Sequence, residues 1–230
     1  MRKGLTILLL GDLLVVLLHF FSGKELGFFN LDREQNLAAV YSGFKLLAAG
    51  FAAMLLAFLI KIKKDGPQDV WEKARDSIWL VLAGLFIYLA LDEMMYLHER
   101  IGFVINHWTG LAGSRGESFW WYAYFSPFIL LGAALLIYMW RIIKTSDHIL
   151  GRWFMAGALF FILAIATEGL SAIWYARKWY EAYQNLFVAE EAFELIGESI
   201  FATTLWKLAK KYFTSNFTIN NRHINNQQYK

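Results

Sequence analysis

The sequence predicts an all-α fold, a polytopic membrane helix bundle of about six transmembrane helices with both termini cytoplasmic. Three observations lead there. The 230 residues are 58% hydrophobic and only 18% charged, with a mean hydropathy of +0.39, too apolar for a water-soluble domain of this length. Six apolar stretches are each long enough to cross a hydrocarbon core of roughly 30 Å, which takes about 20 helical residues. Lys and Arg are distributed unevenly between the connecting segments.

The stretches cover about 4 to 22, 37 to 61, 77 to 97, 119 to 142, 152 to 175 and 187 to 209. The first follows Arg2 and Lys3 as a secretory signal would. However, Asp12 interrupts it, and Phe21-Ser22-Gly23-Lys24 lacks the small-x-small pattern a signal peptidase reads, so the segment is expected to stay as a helix. The second is expected to open on a variant capping box, Asp32 with Gln35, with Glu34 in its first turn. Leu46 to Ile60 is apolar on every side, as a lipid-embedded helix is and a soluble bundle helix is not. Pro127 falls inside the fourth stretch and predicts a kink.

Six of the 22 basic residues fall in the loops of one side: Lys24, Arg33, Arg100, Arg115, Arg177 and Lys178. Lys45 lies inside the second helix, and the remaining 15 lie at the termini and in the opposite loops, which are therefore cytoplasmic. Aromatic belts agree, with Trp120, Trp121, Tyr122, Tyr124, Trp174, Tyr175, Trp179 and Tyr180 outside and Trp140, Trp153 and Trp206 inside. The outer loop from Ile101 to Ser118 joins apolar Phe103, Val104 and Trp108 to a glycine-containing run and reads as a surface-lying lid. Residues 1–212 form one bundle. Residues 213–230, rich in Asn and Gln, read as a disordered cytoplasmic tail in which the sequon at Asn216 has no meaning.

The expected partner is the lipid bilayer, with an oligomer or a partner subunit compatible with the sequence. A net charge of +3 gives no reason to invoke nucleic acid. The absence of Cys excludes disulfides, zinc-thiolate sites and thiol nucleophiles, so any metal must sit on oxygen or imidazole.

The chemistry-bearing feature is a set of ionisable residues within or at the edge of apolar helices: Asp92, Glu93, His98, Glu99, Glu168, Glu190, Glu191, Glu194 and Glu198. An ionisable residue at mid-membrane costs about 2.5 to 3.5 kcal/mol on insertion scales, so several together need partners, protons, water or a cation. At a rise of about 1.5 Å per residue, Asp92, Glu168 and Glu191 fall roughly 6 to 10 Å inside the outer boundary, and Glu198 lies deeper. Glu191, Glu194 and Glu198 share a stripe of the sixth stretch. On the third, Asp92 aligns with Glu99, whereas Glu93 and His98 point elsewhere unless the helix end unwinds. Lys45 can neutralise one carboxylate.

Blander readings attach to several of these. Glu190 is a helix-start acid favoured by the macrodipole. His98 at the interface reads equally as a hydrated histidine, and His19 carries less signal still. Asp12 sits apart and is expected to hydrogen-bond a neighbouring helix.

The runs Leu31-Asp32-Arg33-Glu34-Gln35-Asn36, Leu91-Asp92-Glu93 with His98-Glu99, and Glu190-Glu191 with Glu194 resemble a group of bacterial multi-pass membrane proteins of unassigned function. The resemblance covers most of the chain apart from the Asn-rich tail. It implies that the acidic helices are a family feature and that the chain sits in a bacterial inner membrane, and it supplies no reaction.

Three functions compete. A metal-dependent enzyme would hold a divalent or di-iron type centre on Asp92, Glu93, His98, Glu99, Glu168, Glu191, Glu194 and Glu198. Di-iron bundles carry two Glu-x-x-His pairs, and this chain has none, only Glu191-x-x-Glu194. A proton- or cation-coupled transporter would use the stacked carboxylates as a path, but only Asp12 continues it inward. An accessory subunit would pair its acids with Lys45, Arg100 or a partner chain. A Ser-His hydrolase lacks a nucleophile elbow.

Overall fold

The structure, a computed structural model, describes residues 2–22, 26–31, 36–63, 70–109 and 120–227. The side chains of 2, 63, 70–75, 98–99, 102–103, 106, 109, 120–125, 172, 175–176 and 216–227 lie outside that description. The described residues form α1 (Arg2–Ser22), a 3-10 turn (Gly27–Phe29), α2 (Leu37–Lys63), α3 (Val70–Met95), α4 (Leu97–Thr109), α5 (Trp120–Ser146), α6 (His148–Ala176) and α7 (Tyr180–Gln227). No strand is present among them. The fold is an all-α bundle with six long helices among the described residues.

Five of these, α1, α2, α3, α5 and α6, are long and apolar enough to cross a membrane. The sixth, α7, carries Glu190, Glu191, Glu194 and Glu198 within its apolar stretch, which lowers its hydropathy. It is nevertheless the central helix. It packs along α6 and α2, and α1 leans on it, while α3 covers α2 and α5 covers α6.

Close approach is achieved with small residues, as expected where lipid supplies no hydrophobic drive between helices and packing must do so. Ala49, Ala52 and Ala53 of α2 are fully buried. Gly157 of α6 and Gly197 of α7 face each other so closely that a Cβ on either would lie within 3.3 Å of the other's carbonyl oxygen. Below them Phe201 is fixed by the edges of Phe86 and Phe154, with ring centroids 5.3 and 4.9 Å away, a favoured aromatic geometry.

Helix ends differ from expectation in identifiable ways. Asn36 caps α2: its Oδ1 accepts the Ala39 N–H at 2.8 Å, and its Nδ2 donates to the Leu31 carbonyl at 2.9 Å. The expected capping residues Asp32 and Gln35 lie outside the described residues. His19 is occupied by the same turn, its Nδ1 accepting the Leu31 N–H at 3.1 Å. The outer segment expected as a lid begins as α4, which exposes Ile101, Val104 and Trp108 along one face; residues 110–119 lie outside the description. Pro127 is inside α5, where it removes one backbone hydrogen bond. The helix α7 continues through the segment expected as a disordered tail, to Gln227, so residue 212 is not a helix boundary. Lys178 adopts φ 62° between α6 and α7, where the Trp179 N–H reaches back to the Trp174 carbonyl at 3.0 Å, the closing bond of a Schellman turn.

Candidate functional site

Three helices converge on one buried amine. On α2, Ser42 and Lys45 are three residues apart and share a face; both are buried. The Lys45 Nζ lies 2.8 Å from Asp12 Oδ1 of α1, 2.8 Å from the Leu195 carbonyl of α7 and 3.1 Å from Glu198 Oε2 of α7. The Tyr41 ring closes one side, with its centroid 4.5 Å from the ammonium.

The carboxylates are held in turn. Ser199 donates to Asp12 Oδ2 at 2.7 Å, and Ser42 donates a short hydrogen bond to Glu198 Oε1. The Tyr41 hydroxyl donates to the Leu8 carbonyl at 3.1 Å. An ammonium has three donors and no acceptor, and here it meets two carboxylates and a carbonyl. One positive charge therefore faces two negative ones in a pocket where Lys45, Asp12 and Glu198 are all buried.

Glu93, Glu191 and Glu194 lie above this centre. Glu194 lies close enough to Glu93, Glu191, Glu190 and Glu198 to feel their charges, and Glu93 close enough to feel those of Glu198, Glu191, Asp92 and Lys45. Along α7 the ladder runs Glu191, Glu194, Glu198, in axial steps of about 4.5 and 6 Å. Thirteen residues separate Glu198 from Lys211 at the far end of the bundle, so the buried amine lies roughly 20 Å from that end.

The expected stripe of Glu191, Glu194 and Glu198 is therefore present on one side of α7. Glu93 departs from expectation: it joins the α7 acids instead of pointing away. The buried face of α3 explains this, because Trp79, Ala83, Phe86 and Ala90 follow the three- and four-residue spacing that leads to Glu93 and not to Asp92. Asp92 sits half-buried beside it.

The backbone breaks at Tyr96, whose φ of 53° ends α3, and α4 starts with His98 and Glu99 in its first turn. The side chains of His98 and Glu99 lie outside the described residues. Glu168 is half-buried on α6, where its backbone carbonyl accepts the Ser171 hydroxyl at 2.8 Å. Among the described residues, no three His, Asp or Glu side chains stand together as a metal-holding group.

Asp12 hydrogen-bonds its neighbouring helices as expected, accepting from Lys45 of α2 and Ser199 of α7, and is one of two anions on Lys45. Tyr41, Ser42 and Ser199 carry no expectation from sequence. The available signal is the polar trio Tyr41, Ser42 and Lys45 inside an otherwise apolar helix, and a serine next to Glu198.

The sequence profile of one family, described as a domain of unknown function (DUF8692), matches residues 7–208. No curated protein and no solved structure matches the chain.

Proposed function

We propose that this chain, which belongs to the DUF8692 family, is a multi-pass protein of the cell membrane that takes a proton or a small cation from the extracytoplasmic side into a carboxylate-lined pocket ending on Lys45. The observation that supports this reading is a charge count. One lysine serves Asp12 and Glu198, and Glu93 and Glu194 add carboxylates close enough to feel the charges of Glu198 and Glu191. A buried group of that sign is costly unless positive charge joins it. A proton or a cation supplies that charge, and the acids above Glu198 offer successive positions for it.

In this reading Glu191 and Glu194 are the entry groups, Glu93 bridges from α3, and Glu198 is the deepest acceptor. Lys45 and Asp12 stand beside Glu198 at the deep end of this path. The test is purified full-length protein in proteoliposomes with a pH gradient, read by an internal pH dye and by cation flux. Uptake above that of empty vesicles supports the reading; tight vesicles indistinguishable from empty ones would reject it.

A second reading uses the same carboxylates as a divalent or di-iron type metal centre in a membrane enzyme. The break at Tyr96 favours it, because His98 and Glu99 then start a new helix and are released from the face of α3. Glu168, Asp92, Glu93, Glu191, Glu194 and Glu198 are the remaining candidate ligands. Elemental analysis of detergent-purified protein separates the two: a stoichiometric transition metal selects the enzyme.

A further inference from the structure

At the end of the bundle opposite the acidic pocket, the turn from α5 to α6 meets α7. Asp147 caps α6, its Oδ1 accepting the N–H groups of Ile149 and Leu150 at 3.1 Å each. Its Oδ2 receives the Lys211 ammonium at 2.9 Å, and that ammonium also reaches the Ser146 carbonyl at 3.2 Å. Asp147 and Lys211 thus use up each other's charge. Beside them is an open cavity of about 230 Å³, lined by Asp147, Leu150, Lys207, Lys210, Lys211 and Thr214.

Lys207, Lys210, Lys211 and Thr214 recur at helical spacing and share one side of α7. Lys207 and Lys210 are exposed. Among the described residues neither is in an ion pair, in contrast to Lys45 and Lys211. Their two positive charges therefore face the cavity's surroundings uncompensated.

The level of the cavity says what is available to compensate them. The apolar spans of α5 and α6 end at Ser146 and begin at His148, so the cavity lies where hydrocarbon gives way to headgroups. Next in sequence to its lining residues Leu150, Lys207 and Thr214 are exposed Ile149, Trp206 and Phe213, side chains suited to acyl chains and to the interface. Basic pockets between helices at this boundary attract anionic headgroups.

We propose that this cavity binds the phosphate of an anionic phospholipid, with Lys207 and Lys210 as its charge partners; the Thr214 hydroxyl lines the site and donates to the Lys210 carbonyl at 3.0 Å. The Asp147–Lys211 pair keeps the floor of the site rigid and nearly neutral. The site is independent of the acidic pocket, so it stands or falls without the proposed uptake activity.

The test uses full-length protein reconstituted in phosphatidylcholine vesicles containing a minority of phosphatidylglycerol, with lipid retained after detergent extraction read by native mass spectrometry. Wild type is expected to keep phosphatidylglycerol in preference to phosphatidylcholine. The double variant K207Q/K210Q should lose retention roughly thirtyfold, about fivefold per lysine. The control K3Q/K61Q removes the same charge from exposed residues elsewhere at this end of the bundle and should retain the lipid. Equal loss in both double variants would reduce the effect to general surface charge and overturn the site, as would unchanged retention in K207Q/K210Q. If inorganic phosphate displaces the lipid at concentrations where chloride does not, the ligand is a soluble phosphate and the lipid assignment is overturned.

Discussion

Lys45 Nζ lies 2.8 Å from Asp12 Oδ1, joining two buried residues 33 positions apart on different helices. Glu198 completes the contact from a third helix at 3.1 Å. Removing the cation leaves two carboxylates buried together, which is far worse than losing one hydrogen bond. Lys45→Met is expected to destabilise the protein by about 3 to 5 kcal/mol, whereas Ser199→Ala, which removes a single intramembrane hydrogen bond, should cost about 0.6 kcal/mol. Thermal unfolding in detergent measures both. Replacing Asp12 by Asn and Glu198 by Gln in the Lys45→Met background should recover most of the loss; a triple variant no more stable than Lys45→Met would show that the ion cluster is not what the lysine supports.

The contact between α6 and α7 depends on Gly197. A Cβ there would lie 2.9 Å from Phe161 Cδ2 and 3.2 Å from the Gly157 carbonyl oxygen, so both a ring and a backbone must yield. Gly197→Ala is expected to cost about 1 to 3 kcal/mol by overpacking. Gly84 has open space at the corresponding position, so Gly84→Ala serves as the control and should melt no lower than wild type.

Asp147 introduces a pH dependence at the opposite end of the bundle. The Leu150 N–H and the Lys211 ammonium hold its carboxyl below the ordinary value of 3.8. A depressed carboxylate stabilises the folded state above the unfolded value and loses that contribution as pH falls through the folded one. Melting temperature should therefore fall below pH 3.8 more steeply in wild type than in Asp147→Asn. Parallel curves would show that the cap and ion pair add nothing measurable.

The distribution of basic residues predicts that Lys3 and Lys230 face the same side. Single cysteines introduced at each position into this cysteine-free chain should react with a membrane-impermeant maleimide only after the membrane is opened. Labelling of either in intact cells would contradict the six-crossing arrangement.

Helix positions are legible in the sequence because each span must satisfy its own backbone in lipid, and that requirement leaves long apolar runs. The stripe of Glu191, Glu194 and Glu198 is legible for the same local reason. What periodicity does not carry is the choice of partner face. Alignment of Asp92 with Glu99 is correct for a straight helix, but the left-handed Tyr96 ends α3 before Glu99 is reached. The small and aromatic residues preceding Glu93 decide which acid enters the bundle. That Asp12 bonds a neighbouring helix is legible, but its partners Lys45 and Ser199 are not, because they lie 33 and 187 positions away and no local pattern links such residues. The place of α7 in the bundle is set by packing against α2 and α6 and not by hydropathy.

The pocket is tested most directly by Glu194→Gln, which keeps the shape and hydrogen-bonding capacity of the side chain and removes its charge. Proton and cation uptake would be measured in proteoliposomes alongside melting temperature and metal content, for wild type and variant together. The account predicts a variant that inserts and melts like wild type while its uptake falls to the level of empty vesicles. A variant of unchanged stability whose uptake and metal content both equal those of wild type would contradict it, and would leave Glu194 as a residue that only anchors α7 to its neighbours.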